Sequence, residues 1–378
     1  MNTIFTIGIF LSSFLSILLF TKKGKTLSDS ILGTWLIFIS VHLFSYYLYY
    51  LGYWQKYPHL VGITHPFPLL YAPFLYLYVV FSLRADQRFY LRDYLHFVPF
   101  VVTYLCMFPF FFGYTAEQKQ IIDNEDFNSS YQYFFVVTFL LYIILGIVYS
   151  VLAYKKITNY QNLISQNFAY EDTISLQWLR FIILGIGIIF LSVTIILLLQ
   201  YVFNLNFGFN SDLIGFVLIV LLVTSMGFLG IRQQGIFGGK NVKPQDIIIE
   251  SKPTEYRKSG LKQTEAQAIH QQLLAIMDNE KLYLEPKLTL GQLAEQVGVS
   301  TNNLSQVINQ YEEKNFYDFV NSYRIKEFIQ RTNDPKNKNL NILAIAFDSG
   351  FNSKSSFNQV FKKFTGETPS EFIKSRNV

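Results

Sequence analysis

Residues 341–372 read NILAIAFDSGFNSKSSFNQVFKKFTGETPSEF. The spacing predicts two short helices meeting at a sharp turn, and then a third. Ile342, Ile345, Ala346 and Phe347 recur at helical intervals and stop at Gly350, which can take the left-handed conformation that closes a helix. Ser353 is the expected N-cap of the next helix. On that helix Phe357, Val360, Phe361 and Phe364 form one apolar stripe. Its other side carries Lys354, Ser355, Asn358, Gln359 and Lys362. Thr368-Pro369-Ser370-Glu371 reads as a capping box with proline at the first helical position. A short helix docked across a glycine turn, with amides, hydroxyls and lysines outward, suits the major groove: amides and hydroxyls meet base edges and lysines meet phosphates. An ordinary amphipathic helix with a solvated face would carry the same pattern.

The pattern occurs twice, which favours the groove reader. Leu293, Ala294, Val297, Gly298, Ser300, Leu304, Gln306, Val307 and Ile308 align with Ile345, Ala346, Ser349, Gly350, Ser353, Phe357, Gln359, Val360 and Phe361, the second turn being one residue longer. Between the two lies a predicted long helix over 316–331, with Phe319, Val320, Tyr323, Ile325 and Phe328. Ahead of them, Thr264–Asp278 is amphipathic, and Thr289-Leu290-Gly291-Gln292 is a capping box.

Of the 378 residues, 51% are hydrophobic and only 15% charged. Soluble domains lie nearer about a quarter charged, so a large part of this chain is expected in lipid. Cys106, the single cysteine, excludes an intrachain disulfide, and five scattered histidines give no metal signal. No metal, cofactor or enzymatic chemistry is expected. Residues 1–240 hold thirteen Lys/Arg and ten Asp/Glu, and residues 241–378 hold eighteen and sixteen. Bulk charge therefore says little about nucleic acid, and the case rests on motif and local charge.

Seven apolar stretches approach bilayer length: 3–20, 31–53, 67–83, 94–113, 131–154, 179–203 and 212–231. The third is the shortest and contains Pro68 and Pro73. The first lacks a preceding basic residue and a cleavage site and does not read as a signal peptide. With the N-terminus outside, inner loops hold Lys22, Lys23, Lys25, Arg84, Arg88, Arg92, Lys155, Lys156 and Arg180, against Lys56 and Lys119 in the outer ones. That positive-inside bias places the tail after 231 in the cytoplasm. The outer loop 114–130 is acidic, with Glu117, Asp123, Glu125 and Asp126, and reads as a solvated loop or a ligand lid. His42 is the one imidazole well inside a span: either a packed residue or a ligand-sensing group, since ionisable side chains at that depth are functional candidates. Residues 232–262, rich in Gly, Lys and Pro, read as a linker, with Asp246–Glu250 as a short strand or adhesive segment. The expected domains are thus 1–231, 232–262 and 263–378, all-α, a seven-span transmembrane bundle ahead of a helical reader.

Residues 264–376 resemble the DNA-binding domain of AraC/XylS-type regulators. The residues that carry the likeness are LTLGQLAEQVGVS (288–300), NLSQVIN (303–309), NFYDFVNSYRI (315–325) and GFNSKSSFNQVFKKFTGETPSEF (350–372). With the spans ahead, the whole looks like the membrane-bound regulators of this type in Bacteroidetes-like bacteria. The resemblance implies two helix-turn-helix units joined by a long helix, both recognition helices entering successive major grooves about 34 Å apart. By position the base readers would be Asn302, Ser305 and Gln306 in the first unit and Lys354, Ser355, Asn358 and Gln359 in the second, with Lys362 on phosphate. Many members have arginine where this chain has Gln306 and Gln359, and glutamine suits adenine.

The leading expectation is a sequence-specific transcriptional regulator held in the bacterial inner (cytoplasmic) membrane, in which a signal on the spans reaches DNA through 232–262. Its expected partners are double-stranded operator DNA, membrane lipid, an unidentified signal ligand, RNA polymerase and a second copy of the chain as a homodimer. The alternative is a membrane transporter or enzyme with a regulatory DNA-binding tail. A further option is proteolytic release of the soluble part.

Overall fold

The computed structural model describes residues 2–84, 86–124, 132–171, 177–201, 212–232, 261–337 and 339–376. The expected strand at 246–250, nearly all of the linker, and Glu125 and Asp126 of the acidic loop lie outside these residues. Among the described residues the regular elements are helical, and β pairing is confined to an isolated antiparallel bridge between Phe168 and Thr289. The chain forms two compact units, Met1–Thr158 with Leu176–Asn241, and Asn159–Ser175 with Val242–Val378.

The first unit is built from α1 (Asn2–Thr21), α2 (Leu27–Tyr50), α3 (Pro68–Leu83), α4 (Leu91–Gly113), α5 (Gln132–Asn167, whose last turns belong to the second unit), α6 (Gln177–Tyr201) and α7 (Asp212–Arg232). α4 is irregular: prolines near the starts of Val98–Cys106 and Phe108–Gly113 leave Met107 at a turn between them. A short helix, Ala116–Asn124, follows. The α1–α2 turn is fixed by a capping box at Thr26, whose Asp29 also takes a 3.1 Å ion pair from Lys22. Leu15, Leu19, Trp35, Leu36, Ile39 and Leu43 are buried. Their neighbours one face over are not: Phe10, Phe14 and Ile17 on α1, Ile144, Ile147 and Val151 on α5, and Leu184, Ile188, Leu191 and Ile195 on α6 stand exposed. Helices apolar on every side are unstable facing water.

Seven spans are expected from the sequence; five of these helices are long and apolar enough to cross a membrane. The apolar portions Pro68–Leu83 and Leu213–Phe228 are shorter. At ~1.5 Å per residue, sixteen residues of α3 reach about 24 Å, short of a ~30 Å hydrocarbon core. α3 is also deeply packed, with Leu70, Ala72, Leu75, Leu77 and Val79 at or below 2% exposure. Its surroundings are protein, which accommodates both its length and Pro73 within it.

The second unit contains α8 (Gln263–Asn279), α9 (Leu290–Val297), α10 (Thr301–Glu312), α11 (Phe316–Asn333), α12 (Ile342–Asp348), α13 (Lys354–Thr365) and α14 (Pro369–Arg376). It holds two separate apolar cores. One gathers Leu273 and Met277 of α8, Leu293 and Val297 of α9, and Leu304, Val307 and Ile308 of α10. The other gathers Ile345 and Ala346 of α12, Phe351, and Phe357, Val360 and Phe361 of α13. α11 serves both: Phe316, Phe319 and Val320 enter the first, and Tyr317, Ile325 and Phe328 enter the second. Its apolar residues therefore lie on more than one face, and it is less amphipathic than the helices it joins.

Candidate nucleic-acid interface

Each expected cap forms. Thr289 accepts from the Gln292 amide while Gln292 Oε1 accepts from the Thr289 amide, and this box starts α9. α9 ends at Gly298 with φ 76°, and Ser300 caps α10 through the Asn303 amide. In the second pair Gly350 has φ 94°, and Ser353 caps α13 through the Ser356 amide. Glu371 accepts from both the amide and the hydroxyl of Thr368, which starts α14 at Pro369. The two segments aligned in the sequence thus become two helix pairs of one design, each with a left-handed glycine between its helices.

Burial sorts the candidate base readers. On α13, Lys354, Ser355, Asn358, Gln359 and Lys362 are all exposed, opposite buried Phe357, Val360 and Phe361. On α10, Asn302 is exposed and Gln306 is half-buried, whereas Ser305 is only 8% exposed and its carbonyl accepts from Asn309 Nδ2 at 2.8 Å. The exposed polar face of α10 is therefore narrower than that of α13. Two aromatic residues expected in apolar stripes are partly outside: Phe347 is 44% and Phe364 36% exposed. Lys363 is committed elsewhere, since its Nζ lies 2.6 Å from Asp318 Oδ1 at the start of α11. A second tie between the same helices joins Tyr317 OH and Ser356 Oγ at 3.3 Å.

A buried arginine braces the pairs. Arg324 of α11 is 1% exposed. Its Nε donates to the Tyr283 carbonyl at 2.7 Å, Nη2 to the Glu285 carbonyl at 2.7 Å, and Nη1 to the Ala169 carbonyl at 2.8 Å. Burial lowers its pKa to about 10, which leaves it charged at neutral pH, so its partners are charge-assisted carbonyls. Gly350 sits on the same turn: a Cβ there would come within 2.4 Å of the Tyr283 carbonyl oxygen. Beside it, Glu327 binds Lys281 Nζ at 3.1 Å, Tyr283 OH at 3.0 Å and Arg331 Nε at 2.8 Å. Burial raises its carboxyl pKa, but these three donors outweigh it and the net shift is downward. Sequence reading names neither Arg324 nor Glu327; an arginine within a run of core-facing residues is the one available signal.

His42, the candidate sensing residue, is buried in the first unit. Its Nδ1 lies 2.6 Å from Tyr71 OH, and its ring meets Phe216 edge-on at 5.0 Å. The nearby groove along α1 and α2 is lined by Ser13, Ser16 and Ser40. Those hydroxyls are already engaged, Ser13 with Ser40 at 2.7 Å and Ser16 with the Gly33 carbonyl at 2.9 Å. Among the described residues no cluster of His, Cys, Asp or Glu is arranged to hold a metal ion.

Residues 293–375 match the helix-turn-helix domain family. This stretch runs from inside α9 to the end of α14, so the C-terminal part of the chain carries a helix-turn-helix domain. An uncharacterised HTH-type transcriptional regulator of Staphylococcus aureus strain COL is 32% identical over 97 residues, which is 26% of this chain and 13% of that protein. The counterparts from strains MSSA476 and MW2 match with the same identity and coverage. The chain thus spans about one eighth of the length of these relatives, and the likeness concerns one domain. No solved structure matches the chain.

Proposed function

We propose that this protein is a membrane-tethered, sequence-specific transcriptional regulator of the AraC/XylS type. The observation that carries the reading is the helix-turn-helix match laid over two helix pairs of one design. α10 and α13 are the recognition helices, joined through α11. Base contacts come from Asn302 and Gln306 on the first, beside buried Ser305, and from Lys354, Ser355, Asn358 and Gln359 on the second, with Lys362 on phosphate. Named HTH-type regulators among the relatives support transcription control as the outcome.

Tethering is supported by the five long apolar helices with their exposed apolar faces, and by nine inner-loop cations against two outer ones in a seven-span topology. In that topology α3, sheathed by protein, and α7, whose apolar portion is also short, complete the bundle, and the reader is cytoplasmic. The first unit receives a signal, with His42 and its Tyr71 partner as the candidate group. RNA polymerase and a second copy of the chain are the protein partners.

The test is selection of duplexes from random DNA by the full chain in nanodiscs, followed by footprinting. Two protected major-groove tracts on one face of the duplex are expected. Binding that shows no sequence preference would overturn the reading.

A further inference from the structure

The second unit includes residues far from it in sequence. Asn159–Ser175 belongs to it, and within that stretch Phe168–Ala169, at the end of α5, is buried in a groove between Leu288–Thr289 and α11. Ala169 N–H donates to the Leu288 carbonyl at 3.0 Å. Its carbonyl accepts from Arg324 Nη1 at 2.8 Å and from Asn321 Nδ2 at 3.3 Å. Its methyl group is 1% exposed and belongs to the first apolar core, and Phe168 is 7% exposed. Phe168 pairs with Thr289 in an antiparallel bridge, on the residue whose side chain caps α9. The groove has the attributes of a built site: two buried side-chain donors aimed at one carbonyl, a free main-chain acceptor, and a pocket that fits a methyl group.

We propose that this groove is a docking site for the Phe168–Ala169 segment, and that the segment is the relay by which the first unit controls the reader. The consequence for DNA rests on the regulator reading above; the docking does not. Withdrawing the segment removes a partner from a buried guanidinium and opens the first core at Ala169. Arg324 also holds the Tyr283–Glu285 turn against Gly350, so both helix pairs feel the loss. The same segment follows directly on α5, a single helix of 36 residues. At ~1.5 Å per residue α5 is about 54 Å long, well beyond a ~30 Å hydrocarbon core. A rod of that length carries a displacement within the apolar part directly to Phe168. Residues 232–262 are a further covalent connection, and the relay does not need them to be stiff.

The experiment uses the full chain in nanodiscs. A Phe168→Cys/Thr289→Cys pair in a Cys106→Ser background tests docking. The bridge makes these a non-hydrogen-bonded antiparallel pair, with Cα atoms about 4.5 Å apart, within the range a disulfide spans. Oxidation is expected to give one intrachain disulfide in most molecules; absence of the cross-link overturns the docking. Ala169→Asp tests the relay, with Ala169→Ser as the conservative control. Ala169→Asp is expected to speed hydrogen exchange over 164–171 and to change affinity for a duplex selected by the parent chain by about tenfold or more, the scale of one lost charge-assisted hydrogen bond. Ala169→Ser, which adds one buried hydroxyl, should fall between the parent and Ala169→Asp in both readouts.

Exchange that rises while selected-duplex affinity stays unchanged overturns the relay. If Ala169→Asp unfolds the second unit, the cross-linked pair decides: selected-duplex affinity that is identical oxidised and reduced, with parental exchange elsewhere, also overturns it. A parent chain that selects no duplex overturns the regulator reading instead, while the cross-link still reports on docking.

Discussion

Gly350 meets two constraints at once, a left-handed backbone at φ 94° and the carbonyl of Tyr283 in the space a methyl group would need. Gly350→Ala should therefore cost the second unit more than about 2 kcal/mol, read as faster hydrogen exchange throughout α12 and α13. Gly298, also left-handed, has nothing within 4 Å of its Cβ position, so Gly298→Ala should cost about 1 kcal/mol from backbone strain alone. Glu327 gives a pH signature. Its folded pKa is depressed, so its contribution is complete above the ordinary value of 4.5 and is lost as pH falls through the lower folded value. Glu327→Gln should cost about 2 kcal/mol near neutral pH and flatten the acid limb of a stability–pH curve. At the reading face, Gln306→Arg and Gln359→Arg should each shift the preferred base from adenine towards guanine, a discrimination of about 1–3 kcal/mol per contact, measurable by repeating the duplex selection.

At the scale of elements, α13 and α10 should differ in their electrostatics. α10 from Thr301 to Tyr311 carries no charged side chain, while α13 has Lys354, Lys362 and Lys363. Lys362 is exposed, but Lys363 is held by Asp318. Lys362→Ala should lower the slope of log affinity against log salt by about one. Lys363→Ala should change it less, because an ion pair must first be broken to free that charge; equal slopes would count against the assignment. The caps of α9, α10, α13 and α14 were legible because Ser or Thr beside a turn, or a Thr-x-x-Gln or Thr-x-x-Glu spacing, satisfies helix amides in only a few ways. The outward tilt of Phe347 and Phe364 was not, because helical spacing names a stripe without saying which of its ends the neighbouring helix covers. Burial of Ser305 escaped for a similar reason: a small hydroxyl at the margin of an apolar face reads as polar until its neighbours are in place.

Across the whole molecule, composition separates a strongly apolar stretch before 232 from a more polar one after it, but the entry of Asn159–Ser175 into the second unit carries almost no sequence signal. Its tie is made largely through main-chain groups of Ala169, which any residue possesses. For the tethered reading, a C-terminal reporter on the full chain should be active only on the cytoplasmic side and should sediment with membranes; reporter activity outside the cell would reverse the topology. The sharing of α11 between two cores has a further outcome. A residue inserted between Val320 and Ile325 would turn everything beyond it by about 100°, swinging Ile325 and Phe328 out of their core while Phe316 and Phe319 stayed seated. On the proposed reading, α11 therefore fixes the phase between α10 and α13 like a shaft, and duplexes with one or two extra base pairs between their contacted halves should go unselected.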